Sequence, residues 1–182
     1  MKDNIKKLIN IIKKGGIAVI PTDTIHGIVC RAQDKKAVER IYYLKKRNPV
    51  KASIILIDSP DRLRLFGIKP TNTLIETLSK YWPGPVSVIL DCDDDRYSYL
   101  HRGTKALAFR LPSDDNLRKL IKETGPIIAP SANIEGMPPA KNNDEAYQYF
   151  GDGVDIYVDG PSSDKASKII KISEDQVEII RA

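Results

Sequence analysis

Ile17-Ala18-Val19-Ile20-Pro21-Thr22-Asp23-Thr24-Ile25-His26-Gly27 is the stretch on which the reading of this chain turns. Four consecutive apolar residues stopped by a proline read as a short strand buried on both faces, the kind found in sheets with helices on each side. Upstream, Ile5, Leu8, Ile9 and Ile12 recur at helical spacing, and Gly15-Gly16 ends that helix. Downstream the pattern alternates. Strands are expected near 28–31, 53–58, 86–90, 106–110 and 127–129. A helix over 35–46 is capped by Asp34, a second opens on a Thr73-x-x-Glu76 capping box, and a third is capped by Ser113 and stops at Gly125. A short helix near 144–150 and β segments near 154–158, 168–173 and 177–181 close the chain. This alternation predicts one α/β domain spanning residues 1–182, three-layered, with a mixed, twisted open sheet flanked by helices. In open sheets ligands sit beyond the carboxyl ends of strands. Thr22-Asp23-Thr24, Arg110 and Ser131-Ala132-Asn133 each follow or end a predicted strand. Lys45 extends the apolar stripe of Val38, Ile41 and Tyr42, which places it where a pocket would begin.

Composition narrows the function classes. The 182 residues are 41% hydrophobic and 29% charged, an ordinary globular balance that excludes disorder and fibre. Apolar runs such as Ile54–Ile57 are far shorter than the ~18 residues of a membrane span. The polar N-terminus lacks the apolar core of a secretory signal, so a cytoplasmic protein with no membrane partner is expected. Cys30 and Cys92 are too few and too far apart for a disulfide framework and read as buried or half-buried free thiols. With two histidines, a His/Cys metal site has little to draw on, and no protein metal ligand is expected. Any metal is expected to be hard, Mg²⁺ carried in by a phosphate ligand. The net charge of +5 favours anionic partners.

Signatures of the P-loop, the dinucleotide-binding turn and the hydrolase elbow are absent. What remains is an ordered series of small motifs: Pro21-Thr22-Asp23-Thr24-x-x-Gly27, Lys45-x-Arg47, Trp82-Pro83-Gly84-Pro85, Arg110-x-Pro112, Ser131-Ala132-Asn133-x-x-Gly136-x-Pro138 and Asp159-Gly160. Each alone reads as turn chemistry or a solvated helix end. Together, in this order and spacing, they resemble the YrdC-like L-threonylcarbamoyladenylate synthase family, in its short single-domain form, from about Ile5 to Arg181.

The resemblance implies that L-threonine, bicarbonate or CO₂, and ATP with Mg²⁺ give threonylcarbamoyl-AMP and pyrophosphate. The product then serves a downstream threonylcarbamoyl-transferase complex in tRNA modification. By motif, Lys45 and Arg47 take the catalytic role, binding triphosphate and the carbamate carboxylate. Thr22 and Thr24 contact threonine or phosphate, with Lys51 as a further basic contact. Arg110 holds a carboxylate or phosphate, Ser131 and Asn133 bind the nucleotide phosphates, and Ser167 and Arg181 match later positions of the ATP site. The chain departs from the family pattern at His26, where an aromatic is usual, at Val29, where glycine is common, at Asn48 and at Lys168. A second expectation is tRNA binding without synthase activity, through Lys35, Lys36, Arg40, Lys45, Lys46 and Arg47.

Overall fold

The structure, a computed structural model, describes residues 2–173 and 176–182. Its elements run α1 (Lys2–Lys13), β1 (Ala18–Ile20), β2 (Gly27–Arg31), α2 (Lys35–Leu44), β3 (Ile54–Leu56), a 3₁₀ turn (Pro60–Phe66), α3 (Asn72–Ser79) and β4 (Val86–Asp91). There follow a 3₁₀ turn (Asp95–Tyr97), α4 (Ser98–His101), β5 (Ala106–Arg110), α5 (Asp115–Thr124), β6 (Ile127–Ile128), α6 (Asn143–Phe150), β7 (Ile156–Tyr157), β8 (Lys168–Ser173) and β9 (Gln176–Arg181).

Among the described residues the strands form one mixed nine-stranded sheet in the order β7-β1-β2-β6-β3-β5-β4-β8-β9. Strand alternation divides the core between its two faces. Ala18, Ile20, Val29, Leu56 and Ile127 pack under Leu8 and Ile12 of α1 and Leu117, Leu120 and Ile121 of α5. Val19, Ile28, Cys30, Ile55 and Phe109 point the other way, against Val38 and Ile41 of α2, Phe66, Leu78 and Phe150. The three-layer expectation holds, and β1 is buried along its whole length. Both cysteines are buried free thiols.

Two helix starts differ from the sequence expectation. Thr71, not Thr73, caps α3, its hydroxyl accepting from the Leu74 amide at 3.2 Å. The chain after Pro70 is extended at Thr71, as a cap requires, so the helix begins two residues early and Thr73 falls inside it. Asp114, not Ser113, caps α5, accepting from the Asn116 and Leu117 amides. A carboxylate outcompetes the neighbouring hydroxyl for two amides at the positive helix end, and Ser113 instead turns to Asp23.

The strand ends that carry the expected site residues meet across the sheet. β1 and β6 finish on the same side of the sheet, because each runs antiparallel to β2 between them. β5 pairs in parallel with β3, which is antiparallel to β6, so Arg110 lies level with Leu56, Ile127 and Arg31, away from Gly27. A twist of about 20–25° per strand turns β5 nearly across β1 over four steps. Helices α1 and α5 cover one face over β1, β2 and β6, and on the same face Ile54, Arg110 and Ile169 line a cavity instead. This cavity therefore lies against a twisted sheet face, between the loops after β1 and β6 and the end of β5.

Replacing Thr71 by alanine is expected to cost about 1 kcal/mol of unfolding free energy, and T73A to change it by less than about 0.5 kcal/mol. Urea unfolding of both variants checks the reassigned cap; equal losses would return the cap to Thr73.

Candidate active site

The cavity on this face measures about 330 Å³ and is lined by Thr22, Thr24, Arg47, Lys51, Arg110, Ser131, Ser167 and Arg181, with Ile54, Pro130 and Ile169 among the apolar walls. Among the described residues no carboxylate lines it. Four cations facing three loops and a strand end make an anion site by composition.

Each wall is held by a distinct local cause. Thr22 and Thr24 sit in the loop between β1 and β2, where Pro21 stops the strand. The Thr22 hydroxyl donates to the Ile25 carbonyl at 2.8 Å, so the 3.0 Å contact between Thr22 and Thr24 takes its proton from Thr24. Arg110 Nη1 donates to Thr24 Oγ1 at 2.7 Å. The result is a directed chain: guanidinium to Thr24, Thr24 to Thr22, Thr22 to a carbonyl. Arg110 is buried, and its Nη2 lies 3.0 Å from Asp23 Oδ1. Burial pulls its pKa down from the ordinary arginine value, and Asp23 opposes that.

Lys45 follows α2 as its C-cap, and its side chain is fully buried. Its ammonium donates to the carbonyls of Ser131 and Asn133 at 2.5 and 2.6 Å and lies 3.4 Å from Asn133 Oδ1. All three ammonium protons thus have acceptors in the turn after β6. Lys45 lies beneath that turn and off the cavity wall. Desolvation, with Arg47 adding to it, pulls Lys45 down to about 7. Within the turn, Ser131 Oγ donates to Asn133 Oδ1 at 2.5 Å, and Asn133 Nδ2 donates to the Ile134 and Met137 carbonyls. Asn133 is an internal brace, also off the cavity wall.

One residue later Lys46 takes a left-handed backbone, φ 48°, which turns the chain out of the helix and sends Arg47 to the cavity. Arg47 is anchored by donating to the Lys51 and Ala52 carbonyls at 3.1 and 2.8 Å. Glu135 clasps this loop: its carboxylate accepts from the Asn48 amide at 2.5 Å and from Lys51 Nζ at 3.2 Å. The Asn48 amide first, and Lys51 beside it, hold the Glu135 carboxyl below the usual range. On the far wall Arg181 donates to the Ser167 carbonyl at 3.1 and 2.6 Å, and Ser167 Oγ lies 2.9 Å from buried Ser87 Oγ.

Eight of the ten residues expected from sequence therefore line one cavity, and Lys45 and Asn133 support it from behind. Sequence reasoning did not select Asp23, Ser87 or Glu135. Asp23 carried one signal, a carboxylate between two threonines with no cation nearby in sequence; Ser87 and Glu135 carried none. A second cavity of about 790 Å³ was not anticipated. It shares Thr24 and Ala166 with the first and is lined by Asp23, Tyr81, Pro85, Val86, Ile170, Val177 and Ile179, with Lys165 and Lys168.

The departures from the family pattern have definite settings. His26 is buried, with Nδ1 2.8 Å from Ser162 Oγ. Burial lowers its pKa, against the opposing fields of Asp159 and Glu145. Val29 is core beneath α1 and α5, Asn48 meets Glu135, and Lys168 faces the second cavity. The expected basic cluster is dispersed: Lys45 is buried and Arg40 pairs with Asp155 at 3.0 Å.

The Sua5/YciO/YrdC family model, described as "Telomere recombination", matches residues 10–182. The chain belongs to this family. Threonylcarbamoyl-AMP synthase of Idiomarina loihiensis is 30% identical over 171 residues, 90% of this chain and 91% of that protein. The protein of the same name from Pyrococcus abyssi is 30% identical over 82% of this chain and 44% of itself. Among solved family structures, P. abyssi Sua5 complexed with L-threonine superposes with a TM-score of 0.89 at 27% identity, covering all of this chain and 54% of that one. Escherichia coli YciO, at 22% identity and a TM-score of 0.85 over all of this chain and 89% of its own, shows the shared fold.

Because the folded state holds Lys45 below its ordinary value, the unfolded chain binds the extra proton between about pH 7 and the lysine range, so this group's contribution to stability rises with pH. The unfolding free energy of the wild type relative to K45M is expected to climb between about pH 7 and pH 9. Urea melts at the two pH values read it directly, and a flat difference would mean that Lys45 keeps its ordinary pKa.

Proposed function

We propose that this chain is an L-threonylcarbamoyladenylate synthase, making threonylcarbamoyl-AMP and pyrophosphate from L-threonine, bicarbonate or CO₂, and ATP. The observation that carries the reading is the carboxylate-free wall of Arg47, Lys51, Arg110 and Arg181 interleaved with Thr22, Thr24, Ser131 and Ser167. Such a wall recognises phosphate and carboxylate oxygens, and it has no cysteine or histidine to serve as, or to activate, a protein nucleophile. The reaction needs none. Threonine's amine adds to CO₂ and loses a proton to give a carbamate. A carbamate oxygen then attacks the α-phosphorus of ATP, and the bond to the β-phosphate oxygen breaks, expelling pyrophosphate. Negative charge moves onto the leaving group, where fixed cations stabilise it.

Arg47 is the catalytic cation on the wall, with Lys51, Arg110 and Arg181 binding the anionic groups. Lys45 acts through the Ser131–Asn133 turn, whose two carbonyls it holds. The cavity's 330 Å³ lies at the low end of ligand sites, which span about 300–1,000 Å³. Triphosphate and amino acid fill it, and the base extends into the adjoining apolar cavity beside Tyr81, Pro85 and Val86.

No group of three His, Cys, Asp or Glu side chains among the described residues is placed to hold a metal. With no carboxylate on the cavity wall among the described residues either, those residues do not fit a protein-bound Mg²⁺. The ion belongs to the MgATP substrate, and no step is assigned to it. The adenylate product is a reactive mixed anhydride, which suits immediate use by a transferase complex that modifies tRNA. Among the described residues no helix is long and apolar enough to cross a membrane.

Purified protein with MgATP is expected to release pyrophosphate only when threonine and bicarbonate are both present, with the adenylate seen by mass. R47A and S131A are each expected to lower kcat/KM by about 10²–10³, the scale of one lost transition-state donor. Y81A is expected to raise KM for ATP about tenfold, the scale of one lost aromatic contact. K35A/K36A is expected to match wild type. Release that ignores threonine would overturn the reading.

A further inference from the structure

Asp23 is the buried carboxylate standing behind the carboxylate-free wall. Its side chain is 5% exposed and that of Arg110 4%, with 3.0 Å between Oδ1 and Nη2. Asp23 itself faces the second cavity, so it reaches the basic cavity only through Arg110. Its other oxygen, Oδ2, accepts from the Ser113 amide at 3.1 Å and lies 3.5 Å from Ser113 Oγ. On Arg110, Nη1 donates to Thr24 Oγ1 at 2.7 Å and Nη2 to Thr22 Oγ1 at 3.5 Å; Asp23 Oδ1 lies 3.0 Å from Nη2 as an ion pair outside hydrogen-bond alignment, and Nε has no hydrogen-bond partner among the described residues.

A guanidinium has three in-line directions along which it donates in its plane, and rotation about its last bonds is otherwise soft. Thr24 fixes one donor at 2.7 Å, and the contact of Nη2 with Thr22, at 3.5 Å the limit of a hydrogen bond, restrains the plane only loosely. A carboxylate at the second terminal nitrogen removes this freedom and compensates a charge buried away from water. We propose that Asp23 is the positioning residue for Arg110: it sets the plane in which the guanidinium meets the anionic substrate group, without touching the anionic or reacting groups itself. The kinetic part of this proposal rests on the synthase reading; the orientation of Arg110 does not.

The alternative is a staple: Asp23 joins the 21–26 loop to the 111–113 loop through Ser113 and leaves Arg110 indifferent. Three variants separate the two. D23N keeps the shape and removes the charge, S113A removes one contact of the carboxylate on its other side, and R110Q removes the residue to be positioned.

Positioning predicts that D23N lowers kcat at least about tenfold, with KM for ATP and threonine within about twofold, since misplacement costs the transition state more than binding. S113A is expected to match wild type. D23N/R110Q is expected to be no slower than R110Q alone, because a residue that acts through Arg110 has nothing left to act on. D23E, with the carboxylate one methylene further out, is expected to fall between wild type and D23N, and it carries the test if D23N does not fold. Wild-type kcat in D23N, an equal loss in S113A, or losses of D23N and R110Q that multiply would each overturn the proposal.

A second readout needs neither ligand nor activity. In ¹⁵N spectra, with Arg110 assigned by its loss in R110Q, the terminal guanidinium hydrogens are expected to be resolved by hindered rotation in wild type and S113A and averaged in D23N. If wild type releases no pyrophosphate with threonine, the synthase reading fails while this spectrum still decides on Asp23. Identical Arg110 signals in all three proteins would overturn its positioning role.

Discussion

The site depends on a lysine ammonium buried without a carboxylate beside it. An amine taken out of water is stable only if its donors find acceptors, and the acceptors available to Lys45 are the backbone carbonyls of Ser131 and Asn133 with the Asn133 side chain behind them. That requirement ties the end of α2 to the turn after β6, two elements far apart in sequence that a hydrophobic core alone would leave free to slide. It also fixes Ser131 at the cavity wall and sets where Lys46 reverses the chain toward Arg47. The Glu135 amide donates to the Lys45 carbonyl at 2.8 Å, so the same junction is closed from the backbone side.

Topology explains why the site is a face. Helices α1 and α5 are long enough to cover β1, β2 and β6, and the sheet continues for several strands beyond them. Twist turns those further strands across the first ones. The loop between β1 and β2 therefore meets β5 even though strand register puts Arg110 level with the distal end of β2. Polar residues collect on the uncovered face because an apolar one would need another layer.

Much of this was legible in the sequence. Ala106–Arg110 alternates between small outward residues and the buried Leu107 and Phe109, and its limits in the structure match the pattern. The Lys45 stripe argument located the right place on α2, since the side chain does continue the buried line of Val38, Ile41 and Tyr42. It misjudged the destination, because whether a buried amine meets solvent or carbonyls is settled by a turn some ninety residues later. Thr71 was passed over for the same kind of reason: Thr73-x-x-Glu76 is a good local signal, and the extended chain leaving Pro70 outweighs it. Asp23 looked like turn chemistry because its cation comes from β5, and the apolar second cavity is built from the segment between α3 and β4 and from β4, β8 and β9 with no motif shared among them.

The cations of the cavity share a design that sequence counts do not reveal. Arg47 is anchored on two carbonyls, Arg181 on one, Lys51 on Glu135, and Arg110 on Asp23 and Thr24. None is a free surface charge. Each has lost part of its rotational freedom before a ligand arrives, so the ordering cost of gathering four cations around a triphosphate is met during folding. The hydroxyls extend the same logic, because the chain from Arg110 through Thr24 and Thr22 to the Ile25 carbonyl has one direction only, and its lone pairs and dipoles are aligned in advance. A reaction whose demand is charge stabilisation at defined positions is served by this arrangement, and the scarcity of histidine and cysteine follows from the same demand.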